Sequence, residues 1–113
     1  MTAPPLAPWQ VWWADFDPQV GREQAGRGPA IVAGTSMACD LLTELALVIP
    51  VTTRDRGLPF QPPVRLGQPS VAMCDQLKSV SRDRLHGLAR ATIANEEIER
   101  IRFVLRKHVD CGV

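Results

Sequence analysis

Side chains alternate with period two through "QVWWADFDP", residues 10–18. Val11, Trp13 and Asp15 fall on one side, and Trp12, Ala14 and Phe16 on the other. Alternation with bulky aromatics predicts a β-strand, closed by Asp17-Pro18. The same pattern continues downstream. "PAIVAGT", residues 29–35, reads as a short buried strand after a glycine-rich loop. "CDLLTELALVIPVTT", residues 39–53, fits helix or strand by apolar spacing. Pro50 and the β-branched Val48, Ile49, Val51, Thr52 and Thr53 favour a strand for its second half. Gly57, Pro59, Pro62 and Pro63 predict a loop leading to an edge strand around Pro63–Leu66. "PSVAMCDQLKSVS" predicts a strand over 70–77 running into a turn, and "RDRLHGLARAT" a short strand or turn with basic residues.

Only the last segment, "NEEIERIRFVLRKHV", has helical spacing. Ile98, Ile101, Leu105 and, slightly off, Val104 share one face. Asn95 is the expected N-cap, Glu96 and Glu97 sit in the first turn, and Arg106, Lys107 and His108 sit in the last. Those positions suit the helix ends and dipole. The expected fold is mainly β with α: a mostly antiparallel small barrel with a C-terminal helix. Residues 1–8 are expected to be a proline-rich disordered tail, and 9–113 a single domain.

A chain of 113 residues with 45% hydrophobic content supports one core. The net charge of +1 advertises no global field for nucleic acid or membrane, so any polyanion site must be a local cluster. Cys39, Cys74 and Cys111 lie far apart with no CxxC spacing, which argues against zinc and against a disulfide framework. The start, "MTAPPLAPWQ", has no basic n-region or apolar h-region, and no apolar run nears the ~20 residues of a membrane span. A cytoplasmic protein with no membrane association is the expectation.

The chemistry is less legible. Gly21, Gly26 and Gly28 form neither a P-loop nor a dinucleotide motif, and turn chemistry alone accounts for them. His86 and His108 read as a solvated turn residue and a helix-dipole partner. The three tryptophans read as core, although Trp13 shares a side with Asp15 and could stack on a base. A distributed polar set remains at the strand ends: Asp15, Asp17, Glu23, Gln24, Arg27, Thr52, Thr53, Gln76 and Lys78. Arg54 and Arg56 add candidate phosphate contacts. Cations beside hydroxyls and acids suit holding a phosphodiester while an oxygen attacks it. Charged strand ends are, however, usually just solvated.

Taken as motifs, "VWWADFDPQVGREQAGRGPAIV", "VIPVTTRDRGLPFQ" and "VAMCDQLKSVSRDRL" resemble, in order and spacing, three motifs of the MazF/PemK-type toxins of bacterial toxin–antitoxin pairs. The resemblance spans about residues 9–109. It implies an SH3-like barrel of the CcdB/MazF type, a homodimer, and metal-independent cleavage of single-stranded RNA with no cofactor. The implied reaction uses the substrate's 2′-hydroxyl and leaves a 2′,3′-cyclic phosphate and a 5′-hydroxyl. Messenger RNA is the implied substrate, with transfer and ribosomal RNA as further candidates. The implied partner is a MazE-like antitoxin acting through its C-terminal tail. By position, Thr52 matches a threonine that contacts the reacting phosphate, and Glu23 and Gln24 match the pair in the family's loop motif. A non-catalytic, gyrase-binding toxin of the CcdB type on the same barrel is the alternative.

One residue departs from the pattern. The family has Arg before the proline, in the role of charge stabiliser and proton donor, and this chain has Gly28 there with Arg27 one place earlier. Adjacent side chains of an extended segment point to opposite sides, so Arg27 inherits the role only if the segment is shifted. An impaired enzyme is the expectation, with Arg27 as the substitute to test.

Overall fold

A computed structural model of the chain describes residues 5–16, 26–41 and 44–110. Among the described residues seven strands form one antiparallel sheet: β1 (Val11–Phe16), β2 (Gly26–Val32), β3 (Leu45–Thr52), β4 (Pro63–Arg65), β5 (Pro69–Ala72), β6 (Lys78–Ser81) and β7 (Leu85–Leu88). The strand order is β4-β5-β3-β2-β1-β7, with β6 also on β3. The same residues include two α-helices, α1 (Ser36–Leu41) and α2 (Asn95–His108). The architecture is mainly β with a C-terminal helix, as the sequence predicts.

The alternation in β1 divides its surroundings. Val11 joins Ile31, Ile49 and Val51 in a core sealed by Ile101 and Val104 of α2 and by Val64 and Ala72. Ala14 and Phe16 instead pack with Ala30, Ala46, Val48 and Val80, and Trp12 packs with Val32 and Cys39. Trp12 is buried, and its indole N–H donates to Gln10 Oε1 at 3.0 Å.

Several boundaries differ from expectation, each for a tertiary reason. β2 starts at Gly26, because pairing with Asp15 and Phe16 extends the ladder into the predicted loop. Gly26 has φ +76°, a conformation glycine tolerates as the strand begins. A short helix, α1, follows the second predicted strand and takes in the start of the 39–53 segment that fitted helix or strand, with Thr35 Oγ1 accepting from the Ala38 N–H at its start. The predicted strand 70–77 is broken. One edge of β3 takes β5 at Val51–Thr52 and β6 at Leu45–Val48, so the chain crosses between them through a 3₁₀ turn at Cys74–Gln76. Ala94, not Asn95, is the cap of α2, and its N–H donates to Glu97 Oε1 at 3.0 Å. Within the expected N-terminal tail, residues from Pro5 onward are placed by contacts. Leu6 packs beside Trp12, and the Ala7 N–H donates to Gln10 Oε1.

Candidate active site

Two prolines open the site. The β2–β3 ladder runs Val32–Val48, Ile31–Ile49, Ala30–Pro50 and stops there. Pro29 and Pro50 have no N–H to extend it. Beyond that point β2 and β3 part, and a cavity of about 670 Å³ lies between their ends. Trp13, Arg27, Gly28 and Pro29 line one wall, and Val51, Thr52 and Thr53 another. Gln68, Ser70 and Arg90 add polar groups to its rim.

The register decides what each side chain can reach. Trp13 lies opposite Pro29, Asp15 opposite Arg27, and Ala14 opposite Gly28. Arg27 therefore shares its side with Asp15, Trp13 and Pro29, whereas position 28 shares its side with the fully buried Ala14. Trp13 is 46% exposed, unlike Trp12, so its ring is an open platform at the cavity wall rather than core.

Arg27 is held at the rim. Its Nε donates to Asp15 Oδ1 at 3.1 Å, and His86 Nε2 bonds Asp15 Oδ2 at 2.6 Å. The Arg27 hydrogen bond, and after it the His86 bond, keep the Asp15 carboxyl below its ordinary value despite partial desolvation. Conversely, the Asp15 hydrogen bond raises the Arg27 guanidinium, which stays cationic at any working pH. His86 is exposed, as the sequence suggested, but it lies on β7 rather than in a turn and is bonded to Asp15. The only hint of this in the sequence was its place in a basic, possible strand, which names no partner.

Thr52 ends β3, and its Oγ1 accepts from the Arg54 N–H at 3.2 Å. A hydroxyl that already accepts keeps its own proton to donate, and Thr52 lines the cavity. Arg54 and Arg56 are exposed on the following loop, next to Thr53, but do not line the cavity. Gln76 and Lys78 are likewise not in its lining. Lys78 is on β6, opposite Val48, with its ammonium 5.4 Å from the centre of the Phe16 ring. Asp17, Glu23 and Gln24 lie outside the described residues. Sequence reasoning missed Gln68, Ser70 and Arg90, which come from segments with no motif signal and meet the others only through the fold.

Known proteins fit this geometry. Residues 7–109 match the model of the PemK-like, MazF-like toxins of type II toxin–antitoxin systems. The endoribonuclease toxin MazF of Escherichia coli K12 is 39% identical over 92 residues, covering 80% of this chain and 81% of that protein. Crystalline MazF from Deinococcus radiodurans superposes with a TM-score of 0.77 at 28% identity, covering 96% of this chain and 97% of the other. A MazE–MazF structure from the same organism gives 0.75 at 28% identity, covering 96% and 98%. The chain therefore belongs to the PemK-like, MazF-like family of endoribonuclease toxins.

Proposed function

We propose that this protein is a sequence-specific endoribonuclease toxin that cuts single-stranded RNA at the cleft between the ends of β2 and β3. The 2′-hydroxyl of the nucleotide before the cut attacks the adjacent phosphorus. The P–O5′ bond breaks, the 2′-oxygen loses its proton and the leaving 5′-oxygen gains one. The products are a 2′,3′-cyclic phosphate and a 5′-hydroxyl, and no water, metal or cofactor enters the balance. Negative charge grows on the non-bridging oxygens, and a fixed cation and an oriented donor lower the barrier.

The observation that carries this reading is that Arg27 and Thr52 line one cavity. Arg27 is proposed as the charge stabiliser in place of the arginine that Gly28 lacks. Only one of its five donors is engaged by Asp15 in the described residues, which leaves others for phosphate. The Thr52 hydroxyl donates a second bond, and Trp13 stacks a flanking base. Thr53, Arg54 and Arg56 continue the phosphate track along the loop after β3. Asp15 acts by holding Arg27, and Glu23, Gln24, Gln76 and Lys78 are assigned to more distant nucleotides. On this reading the expected impairment at Gly28 is offset by Arg27.

The protein is proposed to work as a cytoplasmic homodimer restrained by a MazE-like antitoxin whose C-terminal tail covers the same cleft. The solved MazE–MazF complexes of its relatives support such a partner. No described helix is long and apolar enough to cross a membrane.

The test is cleavage of a long unstructured RNA, with end-group analysis for cyclic phosphate. Arg27→Ala is expected to lower the rate by roughly 10²–10³-fold, the usual cost of a lost oxyanion donor. Gly28→Arg is expected to give no gain, because register directs that side chain away from Arg27's side. A folded Arg27→Ala protein that cuts at the parent rate would overturn the assignment. So would a sharp gain from Gly28→Arg, which would return the role to position 28 and mark the natural chain as impaired.

A further inference from the structure

Between β1 and β7 the register slips. Trp13 lies opposite Gly87 but Ala14 opposite Leu85, so His86 is the extra residue of a β-bulge. Bulges re-aim side chains and gather beside functional sites. This one brings the His86 ring to the Asp15 carboxylate, the group that holds Arg27 from its other oxygen. We propose that His86 is a positioning residue for the cleavage reaction: through Asp15 it fixes the Arg27 guanidinium at the cavity rim. The inference rests on the nuclease reading above but reaches a residue which that reading does not use.

The chemistry of the bridge is constrained. An ionised carboxylate only accepts, so Nε2 of His86 carries the proton and donates to Oδ2. Oδ1 is left to Arg27 Nε. Bound from β2 and from β7, the carboxylate cannot swing about its own axis, and the guanidinium it holds inherits that orientation. All three side chains are part-exposed: 60% for Arg27, 42% for Asp15 and 37% for His86. Buried packing therefore does not orient Arg27, and the hydrogen-bonded chain must. The other charged groups facing β1 include Arg82, Asp83 and Arg84, in the 3₁₀ turn just before β7, and Lys78 of β6 over the Phe16 ring.

The experiment compares His86→Leu, which removes the donor, with His86→Gln, whose amide N–H can replace it. Because Arg27 acts as charge develops, its misplacement lowers kcat and leaves KM nearly unchanged. His86→Leu is expected to cut kcat by roughly ten- to hundredfold, in the range of about 1 Å of misplacement. His86→Gln should recover most of that loss, and His86→Leu should add nothing in an Arg27→Ala background. An activity-independent readout separates this inference from the nuclease reading: the NMR resonance of Arg27 Nε–H. It should shift in His86→Leu and stay near its parent position in His86→Gln. If the parent cuts no RNA yet the resonance behaves so, the nuclease reading fails and the positioning stands. Equal losses in the Leu and Gln variants, or an unmoved resonance in His86→Leu, would overturn the positioning.

Discussion

The β1–β2–β3 sheet ends in two different ways. At one end Val11, Ile31, Ile49 and Val51 are closed over by α2, with Ile101 fully buried among them. At the other, past Ala30 and Pro50, the strands run to the wall of a cavity lined by Trp13, Arg27 and Thr52. The first end is apolar on every contributing element and makes stability. The second places polar groups at the ends of paired strands. Rigid ladders thus reach to within one or two residues of the proposed chemistry, which is what a preorganised site needs. The difference teaches that one strand pattern serves both ends, and where α2 lies decides which end becomes core.

The comparison breaks most visibly at Ile101. Ile101→Ala should cost about 2–5 kcal/mol of unfolding free energy, read by urea denaturation, because the side chain is fully buried. At a temperature where the variant is folded, its RNA cleavage should match the parent. A loss of cleavage beyond the loss of folded protein would mean that the two ends are not separable. Thr52→Val is the reverse experiment. It keeps the shape of the side chain, should leave the melting temperature nearly unchanged, and should slow cleavage roughly ten- to hundredfold. The released Arg54 N–H is exposed and can turn to water.

Glu97 sharpens the comparison at the seam. Its Oε1 accepts from the Ala94 N–H and its Oε2 from the Arg65 N–H at 2.8 Å, tying the start of α2 to β4. Glu97→Ala should destabilise by about 1–2 kcal/mol without changing kcat, as measured by denaturation and cleavage in parallel. The smallest effect belongs to Asp15. Its folded pKa is lowered, so its contribution to stability is fully present above the ordinary aspartate value of 3.8 and is lost as pH falls through the lower folded value. Melting curves from pH 5 down to about pH 2 should show a shallower acid decline for Asp15→Asn than for the parent. Identical slopes would mean that the exposed Arg27–Asp15–His86 chain adds nothing to stability, in line with many surface ion pairs.

Much of the fold was legible in the sequence because it rests on local periodicity. The alternation of β1, the β-branched run of β3 and the helical spacing of α2 each depend on which way neighbouring side chains point, and that is written in the order of residues. The breaks were not legible. α1, the divided strand at 69–81 and the early start of β2 depend on which strand supplies a hydrogen-bonding partner, a fact of pairing between distant segments. A cap placed one residue early, at Ala94, belongs with them, since Glu97 accepts from the Ala94 N–H with one oxygen and from the Arg65 N–H of β4 with the other.

The site divides along the same line. Sequence alone marked Arg27, Thr52 and Trp13 as polar or aromatic groups at strand ends and, through motif resemblance, gave the family. Tertiary structure decided that Arg27 stands on the side of Asp15 and Trp13 while position 28 stands on that of Ala14, because the side a strand residue faces follows from register with its partner. It also decided that His86 meets Asp15 across 71 positions of chain, because a bulge set by pairing with β1 re-aims one ring. Periodicity is a property of neighbours in the chain. Register, bulges and the gap where two ladders part are properties of neighbours in space.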